Sequence, residues 1–222
     1  MNPILRRLII VLLVLVTPFF LILTAIRVLF TPLYIQVEYR MPGFPQDTYG
    51  FTMQDRMQWA GVSMEYLLND AGIAFLGDQR LPDGTSLYNE RELSHMLDVK
   101  VVLQRALAVW GILLLIYIGL GFWAWRSNWL PDYFQALSRG SVLTLALIAM
   151  ILVGVMVSFY QLFTLFHKLF FTGDTWIFNY SDTLIRLFPL RFWQDGFILM
   201  GAVTIIAAIA LILINKKVQQ RA

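Results

Sequence analysis

Of the 222 residues, 59% are hydrophobic and only 14% are charged, a balance that leaves a soluble domain too little polar surface to cover its core. The absence of cysteine excludes disulfides, thiolate nucleophiles, zinc–thiolate sites and thioester intermediates. A net charge of only +3, with no basic stripe, gives no sign of a nucleic-acid partner, and the expected fold class is a membrane all-α protein. Four apolar runs of the length needed to cross about 30 Å of hydrocarbon predict a four-transmembrane-helix bundle with a small, mainly helical extracytoplasmic domain after the first helix.

The first run, Leu8 to Phe30, follows Arg6 and Arg7. It starts like a signal peptide, but it is longer and has no small-residue cleavage site, so residues 1–30 are read as a retained first transmembrane helix, bent by Pro18. Residues 31–94 form the extracytoplasmic domain. In it the alternation Tyr34-Ile35-Gln36-Val37-Glu38-Tyr39 predicts a short strand, and Pro42-Gly43 and Asp83-Gly84 mark turns. Thr52 stands three residues before Asp55 and opens a predicted amphipathic helix that ends near Gly72.

Asn89 and Glu92 form a predicted cap for the next helix, whose apolar part runs from Ala106 to Trp125. Residues 95–126 are read as the second transmembrane helix with an outer extension, 127–141 as a cytoplasmic loop and 142–166 as the third span. An outer interfacial segment, 167–196, is dense in Phe, Trp and Tyr; the fourth span, 197–215, and a cytoplasmic tail, 216–222, complete the chain. The aromatics of 167–196 suit a headgroup belt, and a belt folded over the bilayer would wall a lipid groove. With alternating helices, Arg6, Arg7, Arg126, Arg139, Lys216, Lys217 and Arg221 fall on one side. The excess of Lys and Arg makes that side the cytoplasm, with both termini on it.

The chain has two histidines, His95 and His167, and both fall just outside the apolar runs on the predicted outer side. At about 1.5 Å per residue, His95 stands roughly 15 Å beyond Ala106, a depth comparable to that of His167. Arg91, His95, Asp98, Val102 and Arg105 share one helical stripe, as do Tyr160, Thr164 and His167. Polar stripes entering a membrane are costly against lipid and mark candidate functional faces. Asp98, one turn from His95, is placed to fix its tautomer. The competing reading makes both histidines ordinary interfacial residues.

Arg27 either snorkels to the headgroups or points inward to hold an anionic or carbonyl oxygen. A metal site of His95, His167 and Asp98 is chemically allowed, though scattered over two helices. No Gly-x-Ser-x-Gly, phosphate loop or dinucleotide fingerprint is present. The residues alone therefore leave three classes open: a site whose chemistry rests on the two histidines, a metal-dependent lipid hydrolase, and a non-catalytic receptor or accessory subunit whose outer domain binds a partner.

Tyr39, Pro42-Gly43-Phe44-Pro45, Asp47, Tyr49-Gly50-Phe51, the block Asn89-Glu90-Arg91-Glu92-Leu93-Ser94-His95-Met96 with Asp98-Val99-Lys100, and Phe163 with Phe166-His167 and Phe170-Phe171 resemble the bacterial lipoprotein intramolecular transacylase family. The likeness covers nearly the whole chain, including Trp176, Asp182 and Phe192-Trp193; the two histidine-centred blocks are its specific part. It implies an enzyme of the bacterial cell membrane, without a cofactor, whose partners are diacylglyceryl-modified lipoprotein N-termini and membrane lipid. It further implies transfer of the sn-2 acyl chain to the α-amino group of the same N-terminal cysteine, with His95 and His167 matching the family's two essential histidines. Asp98, Arg105, Arg27, Arg91 and Tyr160 are the supporting candidates.

Overall fold

The structure, a computed structural model, describes residues 3–221. It is helical throughout: α1 (Pro3–Leu29), α2 (Pro32–Glu38), α3 (Met53–Leu68), α4 (Ala74–Gly77), α5 (Glu90–Arg126), α6 (Leu130–Phe170), α7 (Thr183–Leu187) and α8 (Leu190–Gln219). Among the described residues there is no strand, only an isolated bridge between Arg80 and Ser86. Helices α1, α5, α6 and α8 are long and apolar enough to cross a membrane. The 37 residues of α5 extend about 55 Å at helical rise, more than the hydrocarbon requires, so this helix continues past the apolar stretch Ala106–Trp125.

The chain divides into two compact bodies, one of residues up to Val28, Leu107–Val157 and from Ile198 on, the other of Leu29–Ala106 and Ser158–Phe197. The first is a packing of apolar helix segments. Tyr117 of α5 stacks on Phe20 of α1, with ring centroids 4.6 Å apart, and Tyr133 of α6 donates to the Tyr117 carbonyl at 2.9 Å. Hydroxyls inside these segments bond back to their own helices: Thr17 to Leu13, Ser141 to Leu137, Thr144 to Gly140 and Thr204 to Met200. A bilayer offers backbone and hydroxyl groups no water, so such internal partners are required. Pro18 sits within α1 and cannot donate to the Val14 carbonyl. Gly140 of α6 comes so near that a Cβ there would lie 2.5 Å from Thr17 Cβ and 2.9 Å from the Val14 oxygen. Leu115, Met156 and Val157 face outward, 71%, 86% and 78% exposed, as suits side chains that lie against lipid tails.

The second body corrects the expected strand. Residues 34–38 belong to helix α2, in which Pro32 occupies the first turn after the extended Thr31, where its missing N–H costs nothing and its fixed φ favours the helix. Tyr34, Ile35 and Glu38 are the buried face, a helical spacing that the brief alternation of apolar residues masked. Helix α3 has the expected start, with Thr52 and Asp55 forming a reciprocal capping box, but it stops at Leu68 rather than near Gly72. There Asn69 turns its side chain to the Ala71 N–H and to Lys100 Nζ. The start of α5 is also capped reciprocally, Asn89 Oδ1 accepting from Glu92 N at 3.0 Å and Glu92 Oε2 from Asn89 N at 2.8 Å.

Candidate active site

In the second body α5 buries Glu92, His95, Met96, Lys100 and Leu103, a helical face set by what covers it. Lys100 Nζ reaches Asn69 Oδ1 at 3.1 Å and the Ala71 carbonyl at 2.6 Å, and lies 4.1 Å from the Tyr66 ring centroid. Gln104 Nε2 donates to the Asn69 carbonyl at 2.8 Å. These bonds fix the rotation of α5, so His95 lies inside while Arg91 and Arg105 are exposed and Asp98 and Val102 half-buried. The polar stripe expected from spacing is thus turned partly outward.

His167 stands on the last turns of α6, beyond Ser158, where the helix is interrupted by non-helical dihedrals. The structure brings it to His95: the two rings face each other with centroids 6.0 Å apart and planes inclined by 22°, and each residue is 8% exposed. Tyr160, on the same face two turns earlier, is 71% exposed, and Arg27 is exposed on α1.

Carbon walls surround the pair. The edges of Phe171 and Phe178 meet His95 at 5.0 and 5.4 Å. Phe163, Trp176 and Phe171 surround His167 at 4.1, 4.9 and 5.5 Å. Trp176 is held by a bond from Nε1 to the Gly173 carbonyl at 3.1 Å, across a turn in which Gly173 takes φ of +70°, a left-handed conformation that suits glycine. Phe171, Trp176 and Phe178, within the segment read in sequence as a belt or groove wall, supply the lining of the site together with Phe163 of α6. The sequence shows their density in 167–196 and sets Phe163, Phe171 and Trp176 among the residues of the family resemblance, but does not say that they wall the histidines.

The ring nitrogens differ. His167 Nδ1 lies 2.8 Å from the Phe163 carbonyl; a carbonyl only accepts, so Nδ1 carries the proton, and in the neutral ring Nε2 carries the lone pair. His95 Nδ1 is buried without a hydrogen-bond partner, so Asp98 does not fix it. His95 lies outside the apolar stretch of α5. There burial, and secondly the nearby His167, push its pKa down to about 4, because both disfavour the imidazolium. Among the described residues no group of three or more His, Asp or Glu gathers as a metal-holding set, so His95, His167 and Asp98 do not form the triad that spacing allowed.

Further residues that local spacing did not single out brace this body. Arg186 pairs with Asp47 at 3.1 Å and covers the Phe51 ring at 3.4 Å. Arg56 donates to the Arg186 and Pro45 carbonyls at 3.0 and 2.7 Å, while Tyr39 donates to the Leu187 carbonyl. The signal available in sequence was the charged and aromatic content of 39–56, which locates no partner.

A family model described as lipoprotein intramolecular transacylase Lit matches residues 10–193. A protein of Aquifex aeolicus (strain VF5), described as uncharacterized, is 30% identical over 191 residues, 86% of this chain and 85% of its own length. Among solved structures, the membrane integral lipoprotein intramolecular transacylase Lit from Bacillus cereus superposes with a TM-score of 0.79 at 21% identity, covering 98% of this chain and 99% of that one. A form of the same Bacillus cereus protein with a histidine-to-alanine mutation gives 0.73 at 19% identity, covering 98% and 94%. The fold is therefore that of these membrane enzymes, and the chain itself belongs to the lipoprotein intramolecular transacylase Lit family.

Proposed function

We propose that this acyltransferase moves the sn-2 acyl chain of a diacylglyceryl lipoprotein to the α-amino group of its own N-terminal cysteine, leaving a lyso-form lipoprotein, and that His95 and His167 handle the protons. The observation that carries this reading is the facing pair of buried imidazoles, one with its Nδ1 proton committed to a backbone carbonyl. The attacking amine belongs to the substrate, so a chain without cysteine lacks nothing the reaction needs. Amine and ester are tethered in one molecule, and holding them in attack geometry supplies a large share of the acceleration.

In the proposed sequence, His167 Nε2 takes a proton from the amine as nitrogen attacks the ester carbonyl. The C–N bond forms, the bond from acyl carbon to glyceryl oxygen breaks, and an imidazole N–H of the pair returns a proton to that oxygen. Aromatic walls exclude water while the tetrahedral intermediate exists. The supporting candidates Asp98, Arg105, Arg27, Arg91 and Tyr160 lie half-buried or exposed, and none has a step in this scheme. The Lys and Arg residues flanking the spans support a site on the extracytoplasmic face, with both termini in the cytoplasm.

The test uses purified protein and a synthetic diacylglyceryl lipopeptide, with acyl positions read by mass spectrometric fragmentation. Wild type is expected to give the N-acyl lyso product, and His95→Ala and His167→Ala to lose it. Full conversion by either variant would remove the histidine mechanism.

A further inference from the structure

Glu92 is 1% exposed, and its side chain does more than cap α5. Oε2 accepts from Asn89 N, while Oε1 accepts from Leu184 N at 2.6 Å, at the start of α7. The Asp182 side chain does not cap α7, so Glu92 supplies that acceptor from another helix. Thr183 Oγ1 reinforces the junction by donating to the Leu87 carbonyl.

The segment 171–182 hangs between two anchors. At one end Phe171 N donates to the His167 carbonyl at 2.8 Å; at the other stands the Glu92 bond to α7. In between, Arg91 Nη1 donates to the Ile177 carbonyl at 3.2 Å. Phe171, Trp176 and Phe178, which cover the histidines, all lie on this segment. Glu92 also lies one turn before His95 on the same face of α5, so the clasp and one ring share a rigid element.

We propose that Glu92 is a positioning residue that holds the aromatic roof closed over the histidine pair, so that the acyl group passes to the amine rather than to water. The inference rests on the acyl-transfer reading above. With the roof loosened, water replaces the amine: a histidine takes a proton from water, its oxygen bonds to the acyl carbon, and the bond to the glyceryl oxygen breaks. That oxygen receives the proton. The products are a free fatty acid and a lyso-lipoprotein whose amine is unmodified.

The experiment measures free fatty acid against N-acyl product for wild type, Glu92→Gln and Arg91→Ala, in the full-length protein with the synthetic lipopeptide. Glutamine turns an amide N–H toward one of the two backbone N–H groups that Glu92 now accepts from, and Arg91→Ala removes the second tether from an exposed position. The expected result is a rise in the ratio of hydrolysis to transfer of at least fivefold for Glu92→Gln and a smaller rise for Arg91→Ala. A slower reaction with unchanged partition in Glu92→Gln would overturn the proposal by reducing Glu92 to a structural support. If Glu92→Gln does not fold, Arg91→Ala decides alone, and wild-type partition overturns the roof. A wild type that forms no N-acyl product refutes the acyl-transfer reading instead.

Discussion

Replacing His167 by asparagine or by glutamine separates the two jobs of its ring. The asparagine amide can occupy the position of Nδ1, 2.8 Å from the Phe163 carbonyl, but offers nothing at Nε2. Glutamine reaches the Nε2 position and gives up the backbone bond. A general base contributes about 10²–10⁴ in rate, which at about 1.36 kcal/mol per decade is roughly 2.7–5.4 kcal/mol of transition-state stabilisation. Neither amide accepts a proton at neutral pH, so both variants should lose activity by that factor. The bond to Phe163 is worth about 0.5–1.5 kcal/mol, or roughly 1–6 °C of unfolding temperature in a chain of this size. His167→Asn should therefore be the more stable of the two in a tryptophan-fluorescence melt, while lipopeptide mass spectrometry finds both inactive. More than a tenth of wild-type rate in His167→Asn would refute the assignment of Nε2 as base.

Gly140→Ala places a Cβ 2.5 Å from Thr17 Cβ and should cost about 2 kcal/mol, seen as an unfolding midpoint lowered by roughly 4–8 °C; an unchanged midpoint would contradict the close approach. Glu38 is pushed up to about 7, by burial first and by neighbouring Asp195 second. The unfolded carboxyl titrates near ~4.3, so the folded state holds its proton longer. The stability this contributes is present below that value and is lost as pH rises through about 7. Glu38→Gln mimics the protonated group, and its melting temperature should fall less than wild type between acid and alkaline pH; equal slopes would argue against a protonated Glu38. With His95 held near 4 and burial lowering the pKa of the proposed base His167 as well, kcat/KM should show no inflection at the ordinary histidine value of ~6.5 and should rise until the substrate amine deprotonates near ~7.7–8.0. An inflection at ~6.5 would mean that the pair is solvated.

Length and polarity made the four long helices legible, because a hydrocarbon slab imposes one dimension on every span. Both capping pairs were legible because their partners lie three residues apart. The Tyr34–Tyr39 segment was misread because six alternating residues fit a strand or a helix edge equally well, and Pro32 decides between them only once its position in the first turn is known. Spacing put Arg91, Asp98 and Arg105 on the stripe of His95, yet the rotation of α5 is set by Lys100 and Gln104 meeting Asn69, and sequence does not record that encounter. The same limit applies to Glu92: its bond to Asn89 is local, its bond to Leu184 is not. Tyr160 shares a face with His167 but not its cover: the Trp176 ring lies against His167, whereas Tyr160, two turns earlier, is exposed.

The proline in α1 has a consequence for how the chain is built. The Val14 carbonyl, denied a donor by Pro18, is met by α6 at Gly140. Until α6 enters the bilayer, the first helix therefore carries an exposed dipole in oil. The bare glycine at 140 therefore marks one particular neighbour for α1, a choice of partner that any larger side chain there would obstruct.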